Sequence, residues 1–243
     1  MKIDPTVLEP IADRAWPARE RSTLGGWRLN ASDGWSMRSN ACWPLGKPDR
    51  DVEAAIDAVE AWFIARGLPL RFKLTDGATA PEDLARHLSR RGYTDCKETL
   101  VMVGEAQGRA DPVVALSTVP NASFEAVFTA SAGGNIEDAR ERLETLARIP
   151  APARFACLDM DGQPAALGAC AIDGRWVGVF GMRTAPEHRR KGLARRVLGA
   201  LLAEAKPLGA CAYLQVEAGN APAIALYENE GFRTAYAYRY WVR

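Results

Sequence analysis

Between residues 184 and 202 the chain gathers Arg189, Arg190, Lys191 and Arg195 around Gly192 and Ala194, just ahead of a run of leucines. Cations set side by side repel one another, so the cluster calls for an anion or for open solvent. The first N–H groups of a helix have no internal partner and carry partial positive charge. Gly192, Leu193 and Ala194 begin such a helix, and the small residues let an anion approach its backbone. Together these groups make a cradle for a pyrophosphate and one further phosphate. The competing reading is a solvated basic helix start, because short glycine motifs often match by chance.

The composition narrows the partners. Among 243 residues, 31 Lys and Arg face 30 Asp and Glu, for a net charge of +1. Nucleic-acid binders carry a basic excess, and here the excess is local, which suits a small polyanion better than a long one. The apolar fraction of 48% supports a real core, and the length fits one large domain or two small ones. No run of 18 or more apolar residues occurs, so no membrane partner is expected. No apolar signal segment opens the chain, so a cytoplasmic location is expected. Cys42, Cys96, Cys157, Cys170 and Cys211 never fall as C-x-x-C, and only two histidines are present, which argues for reduced thiols and no metal site.

The elements that must position the cradle are clearest in the second half. Arg154–Met160, Ala166–Ile172 and Trp176–Met182 read as strands joined by Asp161-Gly162 and Asp173-Gly174 turns, an antiparallel meander. Leu193, Val197, Leu198, Leu201 and Leu202 then share one helical face, which Pro207 and Gly209 end. Ala212–Val216 is a short strand. Asn220 caps a helix over 221–230 that Gly231 closes, and a strand pair follows from Phe232 to Val242. Upstream, Ser123–Ala130 is one helix, and Ile136, Ala139, Leu143 and Leu146 mark another.

The first half repeats the later part of this plan. Trp35–Ser39 is similar to Phe180–Thr184. A helix follows on Val52, Ile56, Val59 and Phe63, then a strand over Leu70–Leu74. Thr79 and Glu82 form the pattern of a capping box that opens the next helix, and Gly92-Tyr93 matches Gly231-Phe232. The reading is an α/β (α+β) fold in two related halves, residues 1–110 and 111–243, with a linker near Gly104–Pro112.

Arg189-Arg190-Lys191-Gly192-Leu193-Ala194 resembles the [R/Q]-x-x-G-x-[G/A] signature of the GNAT superfamily of N-acetyltransferases. Asn220, Ala223, Leu226, Tyr227 and Gly231-Phe232 resemble a second motif of that family. The resemblance is full over about 113–243 and partial over about 25–103. It implies a GNAT fold, a mixed and mostly antiparallel twisted sheet flanked by helices, with acetyl-CoA as co-substrate and an amine as acceptor. It implies that the cations, with Asn220, bind coenzyme A, and that Met182, Arg183 and Thr184 hold the pantetheine arm through their backbone.

The resemblance also assigns chemistry. Tyr227 would give a proton to the departing thiolate; the alternative is a core aromatic with its hydroxyl tied to the backbone. Many relatives carry a strand glutamate that helps deprotonate the amine, and Gln215 stands where some have it. Glu217, two residues on and on the same side of an ideal strand, is the candidate base; a surface carboxylate is the alternative. His188 reads as a packing residue. The first half has no such cradle, and Pro44 and Pro48 remove donors there, so it reads as a degenerate copy. Two functions follow: an N-acetyltransferase, or an acyl-CoA-binding regulatory module without catalysis.

Overall fold

The computed structural model describes residues 3–131, 133–208 and 211–243; Gly209, expected to help stop a helix, lies outside them. Asp4 opens a helix that apolar periodicity does not announce, α1 (Pro5–Ala15). The Asp4 carboxylate accepts the Thr6 N–H at 2.9 Å, and Pro5 sits where no N–H is needed. A hairpin follows, β1 (Glu20–Leu24) and β2 (Trp27–Ala31), turning through Gly25 at φ 58°. Next come β3 (Ala41–Pro44), α2 (Val52–Ile64), β4 (Arg71–Thr75), α3 (Leu84–Arg90) and β5 (Thr94–Glu105).

Two local expectations fail here for visible reasons. Trp35–Ser39 is not a strand, although Phe180–Thr184 is; the strand is Ala41–Pro44. The buried Asn40 amide holds the preceding loop, accepting the N–H groups of Ser32 and Gly34 at 2.7 and 3.0 Å. The capping box at Thr79 and Glu82 is not made either. The Thr79 hydroxyl accepts the Thr75 N–H at 2.7 Å and donates to the Thr75 carbonyl at 3.0 Å, closing the turn after β4. The helix starts at Leu84, without a side-chain cap.

The second half contains β6 (Val114–Ser117), α4 (Ala122–Ala130), α5 (Ile136–Ala147), β7 (Ala153–Met160), β8 (Gln163–Asp173), β9 (Trp176–Thr184), α6 (Leu193–Ala205), β10 (Cys211–Glu217), α7 (Ala221–Asn229) and β11 (Arg233–Val242). The first expected turn is present: Asp161 and Gly162, at φ 53° and 75°, link Met160 to Gln163. The second is shifted by one residue, because Asp173 pairs with Trp176 and Gly174 leads the turn. The strand pair expected after Phe232 is one strand, β11. No turn residue interrupts it, and Tyr236, Tyr238 and Tyr240 alternate inward.

The chain packs as two compact units. One comprises Met1–Val101 with Glu217–Gly219 and Ala235–Arg243; the other comprises Met102–Val216 and Asn220–Thr234. Strand order in the first is β1-β2-β3-β4-β11, and in the second β10-β9-β8-β7-β6. Among the strand pairs of these two orders, pairing is antiparallel except where a helix crossover joins parallel neighbours, β3 with β4 and β9 with β10.

Each unit has its own core. In the first, Trp27, Phe72 and Tyr93 stack edge to face, with centroids 5.9 and 5.5 Å apart, over Ile56, Val59 and Phe63 of α2. Lys73 and Glu9 form an ion pair there with both side chains shielded from solvent. The Tyr236 hydroxyl donates to Glu9 at 3.0 Å, and the Lys73 ammonium lies 3.7 Å from the Trp43 ring centroid and 4.1 Å from that of Tyr238. In the second, α6 buries Val197, Leu198 and Leu201 completely, each worth roughly 1.5–3 kcal/mol. The segment read as a linker is held against this helix. Arg196 grips Asp111 with two bonds of 2.6 and 3.0 Å, and a side chain at Gly108 would strike the Ala203 backbone N at 2.0 Å.

Candidate active site

The site starts from an interruption in a strand ladder. Leu167 pairs with Arg183 and Ala169 with Phe180, so β9 carries one residue more than β8 across this step. Gly181 absorbs it at φ 63°, a bulge of the kind that re-aims side chains. The Met182 sulfur lies 2.3 Å from where a Cβ at Gly168 would stand, so Gly168 makes room for it beside Val197 and Leu201. On the other side of β9, the parallel register with β10 runs from Trp176/Cys211 to Val179/Leu214. Past that point the end of β9 borders a cavity of about 720 Å³.

The floor of the cavity is the start of α6. Gly192 occupies the N-cap at φ 75°, makes no side-chain cap bond, and has open space where a Cβ would stand. The first bond into the helix runs from Arg196 N–H to the Gly192 carbonyl at 3.3 Å. The N–H groups of Leu193, Ala194 and Arg195 precede it, as donors without an intrahelical acceptor. Arg190 is also left-handed, at φ 60°, an uncommon state for a residue with a side chain. Successive N–H groups in such a turn form an anion-binding concavity. Arg189, Arg190 and Arg195 line it with His188.

The opposite wall is α7. Asn220 caps it, accepting the Ala223 N–H at 3.3 Å, and Pro222 follows in the first turn. At the far end, Gly231 at φ 84° turns the chain so that the Phe232 N–H reaches the Tyr227 carbonyl at 3.0 Å. The Phe232 ring then meets the Tyr227 ring edge-on, with centroids 6.1 Å apart. Tyr227 is 7% exposed and borders the cavity, and burial pushes its phenol up to about 12. It is a protonated donor at neutral pH.

Of the residues singled out in the sequence, Met182, Arg183, Thr184, Arg189, Arg190, Gly192, Leu193, Ala194, Arg195, Asn220 and Tyr227 border this one cavity. Lys191 and Glu217 do not. The Lys191 ammonium turns to the His188 ring at 3.3 Å, and Glu217 is exposed at the end of β10. Ser131 and Pro222 border the cavity without having been singled out. Pro222 was legible as the residue after the cap; Ser131 sits past the end of α4, where no motif marks it.

Residues 6–241 match the family described as "Probable histone acetyltransferase Rv0428c C-terminal". The chain belongs to this family, within the GNAT superfamily of N-acetyltransferases. It is 25% identical to the "Uncharacterized N-acetyltransferase YobR" of Bacillus subtilis, over 97% of each chain. Its fold is similar to a GCN5-related N-acetyltransferase from Kribbella flavida (TM-score 0.73, 22% identity), covering 100% of this chain and 96% of that one. It is also similar to a tandem GNAT protein from the clavulanic acid biosynthesis pathway (TM-score 0.60, 13% identity), covering 79% of this chain and 69% of that one.

The family's two motifs have physical jobs in this chain. One supplies open N–H groups at Gly192, and the other fixes the Tyr227 ring through Gly231 and Phe232. The first unit differs at its own helix start after a strand. The N-cap of α2 is Asp51, whose carboxylate accepts the Ala54 N–H at 3.0 Å. The Ala80 N–H bonds to the Pro44 carbonyl at 2.9 Å, joining the end of β3 to the loop after β4. Carboxylates of Asp51 and Glu82 border the cavity there beside Lys47 and Arg50.

Proposed function

We propose that this protein transfers an acetyl group from acetyl-CoA to an amine, with coenzyme A seated in the second unit. The observation that carries the reading is the pairing, around one cavity, of an uncapped, cation-ringed helix start at Gly192 with the protonated phenol of Tyr227. The pyrophosphate would lie on the N–H groups of residues 192–195, with Arg189, Arg190 and Arg195 around it. The pantetheine arm would follow the backbone of Met182–Thr184.

In the reaction, the neutral amine nitrogen attacks the thioester carbonyl carbon. A C–N bond forms as the C–S bond breaks, and Tyr227 gives its proton to the leaving sulfur. The extra proton on nitrogen passes to water, and the phenolate regains one from solvent. No Asp or Glu borders the cavity among the described residues. The surrounding cations disfavour an ammonium, so they help present the amine in its neutral form. The first unit acts as a degenerate copy, completing the fold without binding coenzyme A.

A second reading, a regulatory module that binds acyl-CoA without turnover, draws on that same lack of a carboxylate base. The two separate in one assay: acetyl-CoA with a panel of primary amines, following thiol release and N-acetyl product by mass spectrometry. Product above the uncatalysed rate supports the transferase. Tight coenzyme A binding with no product from any amine would favour the module.

A further inference from the structure

Arg183 is a guanidinium that the coenzyme A reading does not use. Its neighbour Met182 turns toward Val197 and Leu201 of α6. Arg183 turns the other way, toward α4. Its Cζ lies 4.1 Å from the Phe128 ring centroid, and Nη1 donates to the Ser131 carbonyl at 2.8 Å. The pyrophosphate cradle is at the start of α6, so Arg183 presents its charge away from the phosphates. It borders the same cavity as Tyr227.

The charge there is uncompensated. Among the described residues no carboxylate pairs with Arg183. Asp138, the acid whose field reaches it, is held by Arg142 at 2.7 Å. Burial, and then the nearby Arg142 cation, pull Arg183 below its ordinary value, with Asp138 opposing. Arg142 and Arg183 therefore both draw on Asp138, and a half-buried cation without its own counter-ion is costly unless a ligand completes it. A guanidinium carries five N–H donors in a flat fork matched to a carboxylate. The bond to Ser131 and the Phe128 ring hold that fork in place while leaving donors for a ligand.

We propose that Arg183 binds a carboxylate on the acceptor, so that the amine acetylated by this protein is a small molecule bearing its own carboxylate. This rests on the transferase reading for the amine, and on the geometry of Arg183 for the carboxylate. The carboxylate gives the cation-lined cavity a ligand of matching charge. It also sets the acceptor on the α4 side of β9, opposite the cradle.

Direct binding tests the proposal without requiring turnover. Calorimetry would titrate L-amino acids, each beside its primary amide and its decarboxylated amine, into the protein with and without coenzyme A. At least one amino acid should bind roughly ten- to a hundredfold more tightly than its amide, the range that a charge-assisted hydrogen bond commands. Arg183→Met should erase that difference, and Arg183→Lys should restore part of it. Far-UV circular dichroism and cooperative thermal unfolding should resemble the wild type in both variants, which reports that they fold. With turnover, the loss should appear in KM for the acceptor and not in KM for acetyl-CoA. Equal binding of acids and amides, or unchanged discrimination in a folded Arg183→Met protein, would overturn the assignment. Carboxylate binding without any transfer would sink the transferase reading and leave only the carboxylate site at Arg183 standing.

Discussion

Arg195, on the cradle helix, and Glu230, at the end of α7, are joined by an ion pair of 2.6 Å between Nε and Oε1. One cation of the cradle thus has a carboxylate already beside it. The Arg195 side chain is mostly exposed, so the pair itself adds little stability. Its effect is on the ligand: Glu230 dampens the field that a phosphate meets. Glu230→Gln should tighten coenzyme A binding by about two- to fivefold at low salt, with the gain shrinking as salt rises. Weaker binding in this variant would mean that the pair serves to hold the two walls together.

Gly192 couples a left-handed backbone to an open space. Gly192→Val should weaken coenzyme A by about tenfold or more, near 1.4 kcal/mol. Valine also strains the backbone at this φ, whereas asparagine tolerates it. Gly192→Asn separates the causes: it should bind poorly too, because the side chain fills the cradle. Full affinity in the asparagine variant would remove occlusion from the explanation.

Coenzyme A should bind once per chain. The first unit has a capped helix start at Asp51, a hydrogen bond from Ala80 to Pro44, and the acidic residues Asp51 and Glu82 bordering its cavity. A calorimetric stoichiometry of two would contradict the view of that unit as degenerate.

Tyr227→Phe keeps the ring against Phe232 and removes the proton. Coenzyme A should still bind, and kcat should fall by about 10²-fold for every acceptor, since the leaving thiolate is shared. Because the folded phenol is raised to about 12 against a reference near 10, ionisation is disfavoured in the folded state. The associated stability is complete below about 10 and is lost as pH rises toward about 12. The wild-type protein should therefore show no alkaline loss of the acid near pH 8 to 9. An unchanged kcat with chemistry rate-limiting would make Tyr227 a packing residue.

Lys73 and Glu9 should be costly to separate and cheap to replace together. Lys73→Met leaves a buried carboxylate without its cation and should destabilise the fold by roughly 3–5 kcal/mol in urea. Combining it with Glu9→Leu should recover much of the loss. Additive losses in the double variant would show that packing, not charge, sets the cost.

The sequence and the structure agree best where local chemistry is strong. The Asp161-Gly162 turn, the leucine face of α6, the Asn220 cap and the Gly231 stop each depend on a few neighbouring residues. Seven of the eleven cavity residues could be read because two short motifs carry them, and Met182–Thr184 and Arg195 flank the first of these. What escaped was set by distant contacts. α1 was hidden because Pro10 sits within it, and Asn40 overrode the likeness of Trp35–Ser39 to a strand. The placement of the Arg183 side chain escaped because its partners, Phe128 and Ser131, lie on another helix and its end.

The bond from Tyr236 to Glu9 spans 227 positions, and the residues from Ala235 onward belong to the first unit. A ribosome makes these residues after the whole of the second unit. Most of the first unit, although made earlier, must wait for these residues before Glu9 gains its hydroxyl partner and β4 gains its neighbour β11. Folding order in the cell is thereby reversed relative to reading order: the unit that carries the cradle can close while the other is still missing a strand.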